Sequence, residues 1–314
     1  MNRVVKSTAY KSLVQGGMYL CITMLVLQCG NKRFSQVRGC NVATYSTQNS
    51  RKMASCFSKK ATAQLVDASY KMQGGVNIVQ QLYSNLWQGF PGMMRHERLL
   101  LQSGPKVVAV YFTRAVHNGA FEVPGNIILP GSGNELKFSE AEFIILDKNL
   151  KLAEVSHFID FSVFISNLQN KPYIFQSTGL KTKQKAAISG GPVDRNIQVL
   201  SDFIFAFFHR RAFLDKLSGG INAEFYFSRK PAIGGQEVNE QARKFTEQLK
   251  VEVTEHDRLS VPGYAALDIK VQGKYKRNDI QFRQLWIAEL SDGKINQLLV
   301  FGNNLVFYED ESNK

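Results

Sequence analysis

Two side chains of the first half of the chain, at polar positions where its two halves differ, are candidates to move protons. They are His117, in Ala115-Val116-His117-Asn118-Gly119, and Asp160, at the end of Glu154-Val155-Ser156-His157-Phe158-Ile159-Asp160. A carboxyl group desolvated among apolar side chains has its pKa raised, which suits a general acid or base. An imidazole with an ordinary pKa of about 6.5 can polarise a carbonyl or share that proton. His157 stands three residues before Asp160, so on a strand the two point to opposite faces. Plainer roles compete with these: Asp160 as the cap of a turn or helix beginning at Phe161, His117 as an exposed hairpin residue beside Asn118-Gly119, and His157 as a structural residue.

Other chemistries find no pattern. No Gly-x-Ser-x-Gly nucleophile elbow occurs, and Gly190-Gly191 and Gly219-Gly220 lack the strand-to-helix context of a phosphate loop. The histidines have no His-x-His or His-x-x-x-His spacing, so no metal is expected.

These residues must be held by elements that the pattern outlines twice. Helical spacing is read over 61–69 and 76–87, followed by period-two strands near 95–102, 106–116, 135–146 and 151–161. The same order returns as helices over 197–208 and 238–249 and strands near 250–258, 264–275, 280–290 and 294–308. His96-Glu97-Arg98-Leu99 and His256-Asp257-Arg258-Leu259 open corresponding strands, a sign of two copies of one domain. In the second copy, Tyr275 or Lys276 and Asn303 replace His117 and Asp160. The Lys-, Gly- and Ser-rich stretch 178–195 reads as a linker. The division is therefore 1–60 leader, 61–177 first domain, 178–195 linker and 196–314 second, degenerate domain.

The formal charge of +13 is uneven, because ten Lys and Arg and no Asp or Glu precede Asp67; without that stretch the balance is about +3, so a nucleic-acid partner is not expected. All four cysteines, Cys21, Cys29, Cys40 and Cys56, also lie before residue 60. Behind Lys6 and Lys11, the apolar block Met18 to Leu27 is shorter than a spanning helix and reads as the hydrophobic part of an export signal. Cys29-Gly30-Asn31 resembles the lipidation site of a bacterial lipoprotein, with Gln28 where a small residue is usual. Export or a membrane tether through the leader is the expectation. An organelle presequence is the alternative, since the segment is basic and hydroxyl-rich.

On Phe90-Pro91-Gly92-Met93, the strand Lys106 to Thr113, Ala115 to Phe121 and Glu154 to Leu168, the chain resembles the SnoaL-like polyketide and ester cyclases of the nuclear-transport-factor-like superfamily. His117, Gly119 and Asp160 match that family's motifs, whereas Gly92, Ala115-Val116 and Val155-Ser156-His157 depart from them. The resemblance implies an α+β fold of two tandem cone-like domains, each with helices packed on a curved antiparallel sheet. It also implies a cofactor-free cyclase or isomerase, or its relic, with Asp160 and His117 catalytic and Phe143, Phe158, Phe161 and His157 around a small hydrophobic ligand. A non-catalytic binding module for such a ligand or for a protein partner is the other implied function. The two copies could pair within the chain or form a homo-oligomer.

Overall fold

The computed structural model describes residues 32–41, 45–66, 70–73, 75–123, 127–159, 185–189, 194–225 and 231–302. Its fold is α+β, with two tandem cone-like domains. The first sheet contains β1 (Phe57–Leu65), β2 (Tyr70–Gln73), β3 (Met94–Ser103), β4 (Lys106–Val116), β7 (Glu135–Leu146), β8 (Leu152–Ile159) and β9 (Lys185–Ser189). β5 (Phe121–Val123) and β6 (Ile127–Leu129) form a separate hairpin. The second sheet contains β10 (Leu217–Phe225), β11 (Ala232–Ile233), β12 (Leu249–Val261), β13 (Tyr264–Tyr275), β14 (Asn278–Ser291) and β15 (Lys294–Phe301).

The spatial orders are β2-β1-β8-β7-β4-β3-β9 and β11-β10-β15-β14-β13-β12, so the second sheet repeats the first without its last strand. Neither is wholly antiparallel: β1/β8, β3/β9 and β10/β15 are parallel pairs. β3 and β12 each carry a bulge five residues before their last residue, at Arg98 and at His256. An extra residue on one strand bends the sheet, and both sheets bend at the same place. The bulges and turns also show that the two His-acid-Arg-Leu tetrapeptides are two residues out of structural register. His96 stands seven residues before Ser103, and His256 five before Val261.

The first sheet curves around a helix over 32–41 (α1), α2 (Ser50–Ser55) and α3 (Val76–Gly89); the second around α4 (Asp194–Phe208) and α5 (Gly235–Thr246). In α1 the buried residues Phe34, Val37, Cys40 and Asn41 recur at helical spacing and face the core. The leader boundary at 60 is thereby corrected. Residues 32–41 and 45–60 are helix and strand of the first domain, and Cys40 and Cys56 form a disulfide between α1 and the start of β1. The expected helix over 61–69 is also corrected, since Phe57–Leu65 is a strand. Ala61, Gln64 and Leu65 favour helix locally, but parallel pairing with β8 and the inward alternation of Ala61 and Ala63 prevail. The stretch 178–195 contributes β9, added beside β3.

The two sheets pack face to face. Leu99, Leu101, Val108, Val110, Ala141, Phe143 and Phe158 meet Leu259, Val261, Ala266, Leu285, Ile287, Leu299 and Phe301 in one buried layer. Arg283 crosses this seam, bonded to Asp268 in its own domain and to Gln64 Oε1 (3.0 Å) and Ser156 Oγ (3.3 Å) in the other. Lys106 pairs across it with Asp257.

Candidate functional site

On each strand alternate residues face the helices, and in the first sheet four neighbouring strands place polar residues there. β3 supplies Arg95, β4 Tyr111 and Thr113, β7 Glu140 and Glu142, and β8 His157. Thr113 opposes Arg95, Glu140 opposes Tyr111, and His157 opposes Glu142, which stacks the six side chains across the sheet. The stretch after α1 adds Tyr45, and α1 itself adds Asn41.

Arg95 is the centre. Its Nε donates to Glu140 Oε1 at 2.7 Å and its Nη1 to Glu142 Oε1 at 2.8 Å, with no part of its side chain exposed. The guanidinium carbon also lies 4.2 Å from the ring centre of Tyr45 and 4.4 Å from that of Tyr111, a cation held between two aromatic faces. Asn41 Nδ2 donates to Glu142 Oε2 (2.6 Å) and to the Tyr111 hydroxyl (2.8 Å), and the Thr113 hydroxyl donates to Glu140. His157 Nε2 lies 2.5 Å from Glu140 Oε2 and 3.3 Å from Arg95 Nη2. A guanidinium has no acceptor, so a hydrogen on that nitrogen is donated to the carboxylate.

Electrostatics follow from this geometry. Burial alone would raise the Glu140 carboxyl, but Arg95 and then His157 outweigh it and hold Glu140 ionised, well below the usual carboxylate range. Burial opposes charge on Arg95, and the two carboxylates overcome it, so its pKa is raised further. Burial pushes the Tyr45, Tyr83 and Tyr111 phenols up, which keeps them neutral. The result is an aromatic-walled ionic cluster in which His157 reaches solvent, its side chain 20% exposed.

The sequence-derived candidates are distributed as follows. His157 lies inside the cluster. His117 faces the same side of β4, but about 13 Å beyond Thr113 at roughly 3.3 Å per residue. It is buried, 1% exposed, stacked on Phe90 with ring centres 5.0 Å apart, and fixed through its backbone by Asn134 and Gly133. Nδ1 is 3.3 Å from Ser132 Oγ, while Nε2 is buried without a hydrogen-bond partner among the described residues. Burial lowers its pKa, which favours the neutral ring. The exposed-hairpin role for His117 is therefore excluded. Asp160 and Phe161 lie outside the described residues. Phe143 and Phe158 are corrected from pocket lining to the layer between the sheets: each follows an inward-facing residue, Glu142 or His157, and so points to the opposite face.

Arg95, Glu140 and Glu142 escaped sequence reasoning, although a signal was present. In Phe138-Ser139-Glu140-Ala141-Glu142-Phe143-Ile144 both glutamates occupy the phase of Phe138 and Ile144, which are core residues. Charged residues in the buried phase of a strand require partners.

At the matching positions of the second sheet Val253 faces Val271, Ile269 faces Gln284, and Trp286 lies between Leu267 and Val300. Phe203, Phe207, Phe208 and Phe225 pack around Trp286 with ring centres 5.1 to 6.2 Å away. Of these positions Gln284 retains a polar side chain, which accepts from Trp286 Nε1 at 3.0 Å. The first domain thus carries charge at its centre and the second an aromatic core. Among the described residues, no three His, Cys, Asp or Glu side chains are grouped as a metal site would need.

No protein-family model matches the chain, and no curated protein matches it. Among solved structures it is similar to a protein assigned as a SnoaL-like polyketide cyclase from Jannaschia sp. CCS1. That match has 15% identity and a TM-score of 0.39 and covers 45% of this chain and 94% of the other. It is also similar to one so assigned from Shewanella denitrificans (13%, TM-score 0.35, 44% and 97%) and to a hypothetical protein with a ketosteroid-isomerase-like fold from Catenulispora acidiphila (12%, TM-score 0.34, 41% and 89%).

Proposed function

We propose that the first domain is a cofactor-free acid–base site of the isomerase or cyclase type for a small, largely apolar carbonyl compound, with His157 as the proton carrier. The observation that carries this reading is the 2.5 Å contact between His157 Nε2 and a Glu140 carboxylate held ionised by Arg95. With Nε2–H donated to Glu140, Nδ1 keeps its lone pair. Nδ1 takes the proton from the carbon beside the carbonyl, the C–H electron pair moves into the enolate, and the imidazolium returns the proton to carbon. Glu140 orients the ring and stabilises its charged form, while Arg95 keeps Glu140 from taking the proton itself. Tyr45, Tyr83 and Trp87 supply the apolar wall beside the cluster. The second domain serves as the packing partner.

Ligand binding without turnover is the second reading, favoured by the mutual pairing of Arg95, Glu140 and Glu142. The two are separated by deuterium uptake at the carbon beside the carbonyl of a panel of aryl ketones, followed by mass spectrometry. Uptake catalysed by the wild-type protein should fall by about 10²-fold or more in His157→Asn, with the melting curve retained. Equal uptake by both proteins refutes the enzymatic reading, and a ketone that raises the melting temperature without exchanging supports binding.

A further inference from the structure

The acid-free residues 32–41 and 45–60 fold into one end of the first domain, and four of their cations have no carboxylate partner among the described residues. Of the seven Lys and Arg from Lys32 to Lys60, Arg33 donates to the Gly104 carbonyl at 2.5 Å and Arg38 holds Glu97 at 2.8 Å. Arg51, Lys52, Lys59 and Lys60 are exposed, with no carboxylate at ion-pair distance among the described residues. Arg51 and Lys52 belong to α2, whose cap Cys56 immediately precedes β1; Lys59 and Lys60 lie where β1 shifts register between Phe57 and Thr62. The turn before β8 adds exposed Lys148 and half-buried Lys151; the Lys151 Nζ donates to the Ser55 carbonyl at 2.6 Å and ties the turn to the end of α2. Phe57 pairs with Leu152, so all these positions share one end of the sheet. The acids nearby are Asp147, whose Oδ1 accepts the N–H groups of Asn149 and Lys151, and exposed Glu154 opposite Thr62.

We propose that this basic end, formed by Arg51, Lys52, Lys59, Lys60, Lys148 and Lys151, binds an anionic membrane surface. Charge complementarity is the first argument, since clustered cations concentrate at anionic lipid and each contributes on the order of fivefold to binding. The second is continuity along the chain. The apolar block Met18 to Leu27 ends only five positions before Lys32, and it falls short of the roughly 20 residues that cross a bilayer. A short apolar insertion holds a membrane only weakly, and a basic surface beside it is the second attachment that makes binding stable. Nucleic acid is the weaker match because these six residues include no aromatic side chain on which a base could stack.

The test compares sedimentation of the full chain with vesicles of phosphatidylcholine alone and of phosphatidylcholine mixed with phosphatidylserine. The wild-type protein should prefer the mixed vesicles, and added salt should diminish that preference. The combined variant Arg51→Gln, Lys52→Gln, Lys59→Gln, Lys60→Gln should lose at least about tenfold of the preference while keeping its binding to phosphatidylcholine and its melting curve. These four residues are exposed and lie outside the Arg95 cluster, so deuterium exchange by the variant should be unchanged. An equal preference in the variant, no preference in the wild type, or tighter binding of a DNA duplex than of mixed vesicles at the same salt concentration overturns the proposal.

Discussion

Replacing Arg95 by Met keeps much of the side-chain volume and removes the only cation that contacts both Glu140 and Glu142 among the described residues. Both carboxylates are at most 1% exposed, so they would be left charged and dry. Breaking a buried ion pair from one side costs about 3–5 kcal/mol. The lost contacts with the Tyr45 and Tyr111 rings add about 1 kcal/mol. A loss of about 5 kcal/mol would approach the whole stability of an ordinary domain, about 5–15 kcal/mol. The pH dependence gives an independent check. In the wild-type protein the depressed pKa of Glu140 contributes stability that is complete above the ordinary carboxylate value and is lost as pH falls through the lower native value. In Arg95→Met burial acts without its counterweight, so acidification relieves the variant and the stability gap narrows toward about pH 4. Urea unfolding in a Trp286→Phe background reports the first domain, because the only other tryptophan is Trp87 on α3. Adding Glu140→Gln and Glu142→Gln to Arg95→Met should recover most of the loss. A loss below about 1 kcal/mol, or a gap independent of pH, would refute the view that the guanidinium holds the carboxylates ionised.

The disulfide between Cys40 and Cys56 closes a loop with a sequence separation of 16, so Cys40→Ser/Cys56→Ser should lose about 3 kcal/mol in urea unfolding. Reductant should lower the wild-type melting temperature and leave that variant unaffected. A Cβ on Gly119 would stand 2.0 Å from the Gln88 carbonyl oxygen, where the His117 turn docks on the end of α3. Gly119→Ala should therefore cost about 1–3 kcal/mol in the same measurement. Because burial lowers the pKa of His117, the stability it contributes is complete above about pH 6.5 and lost as pH falls through the native value. His117→Gln should remove that part of the acid sensitivity, seen in unfolding curves collected between neutral and mildly acidic pH.

The divergence between the two concave faces bears on function. The positions of Arg95, Glu140, Glu142 and His157 correspond to Val253, Gln284, Trp286 and Val300, so the first domain has buried charge where the second has a well-packed core. Apolar residues of similar volume can stabilise as well as a buried ion pair or better, and the second domain has that solution. Stability alone therefore gives no reason for the first domain to carry the charge.

Much of the strand framework was legible in the amino-acid order. Alternation placed β3, β4, β7 and β8 and their counterparts β12 to β15 within a few residues, apart from the end of β15, because a half-buried strand must alternate. Helical spacing did the same for α3, α4 and α5. Local preference failed at β1, where residues that favour helix are held extended by a partner more than ninety positions away. It failed again at 32–60, whose lack of acids resembles a targeting segment although its inward face completes the core.

Composition and periodicity by themselves determined that the chain has two similar α+β halves and an uneven charge, since both follow from nearest neighbours along the backbone. Only the tertiary structure decided which histidine meets a carboxylate, because Arg95, Glu140 and His157 converge from three strands. Only it decided that Phe143 and Phe158 belong to the seam between the domains, because the face on which an alternating residue is covered depends on what packs there. It likewise brought Arg51, Lys52, Lys59, Lys60, Lys148 and Lys151 together, by joining α2, β1 and the turn before β8 at a single end of the sheet.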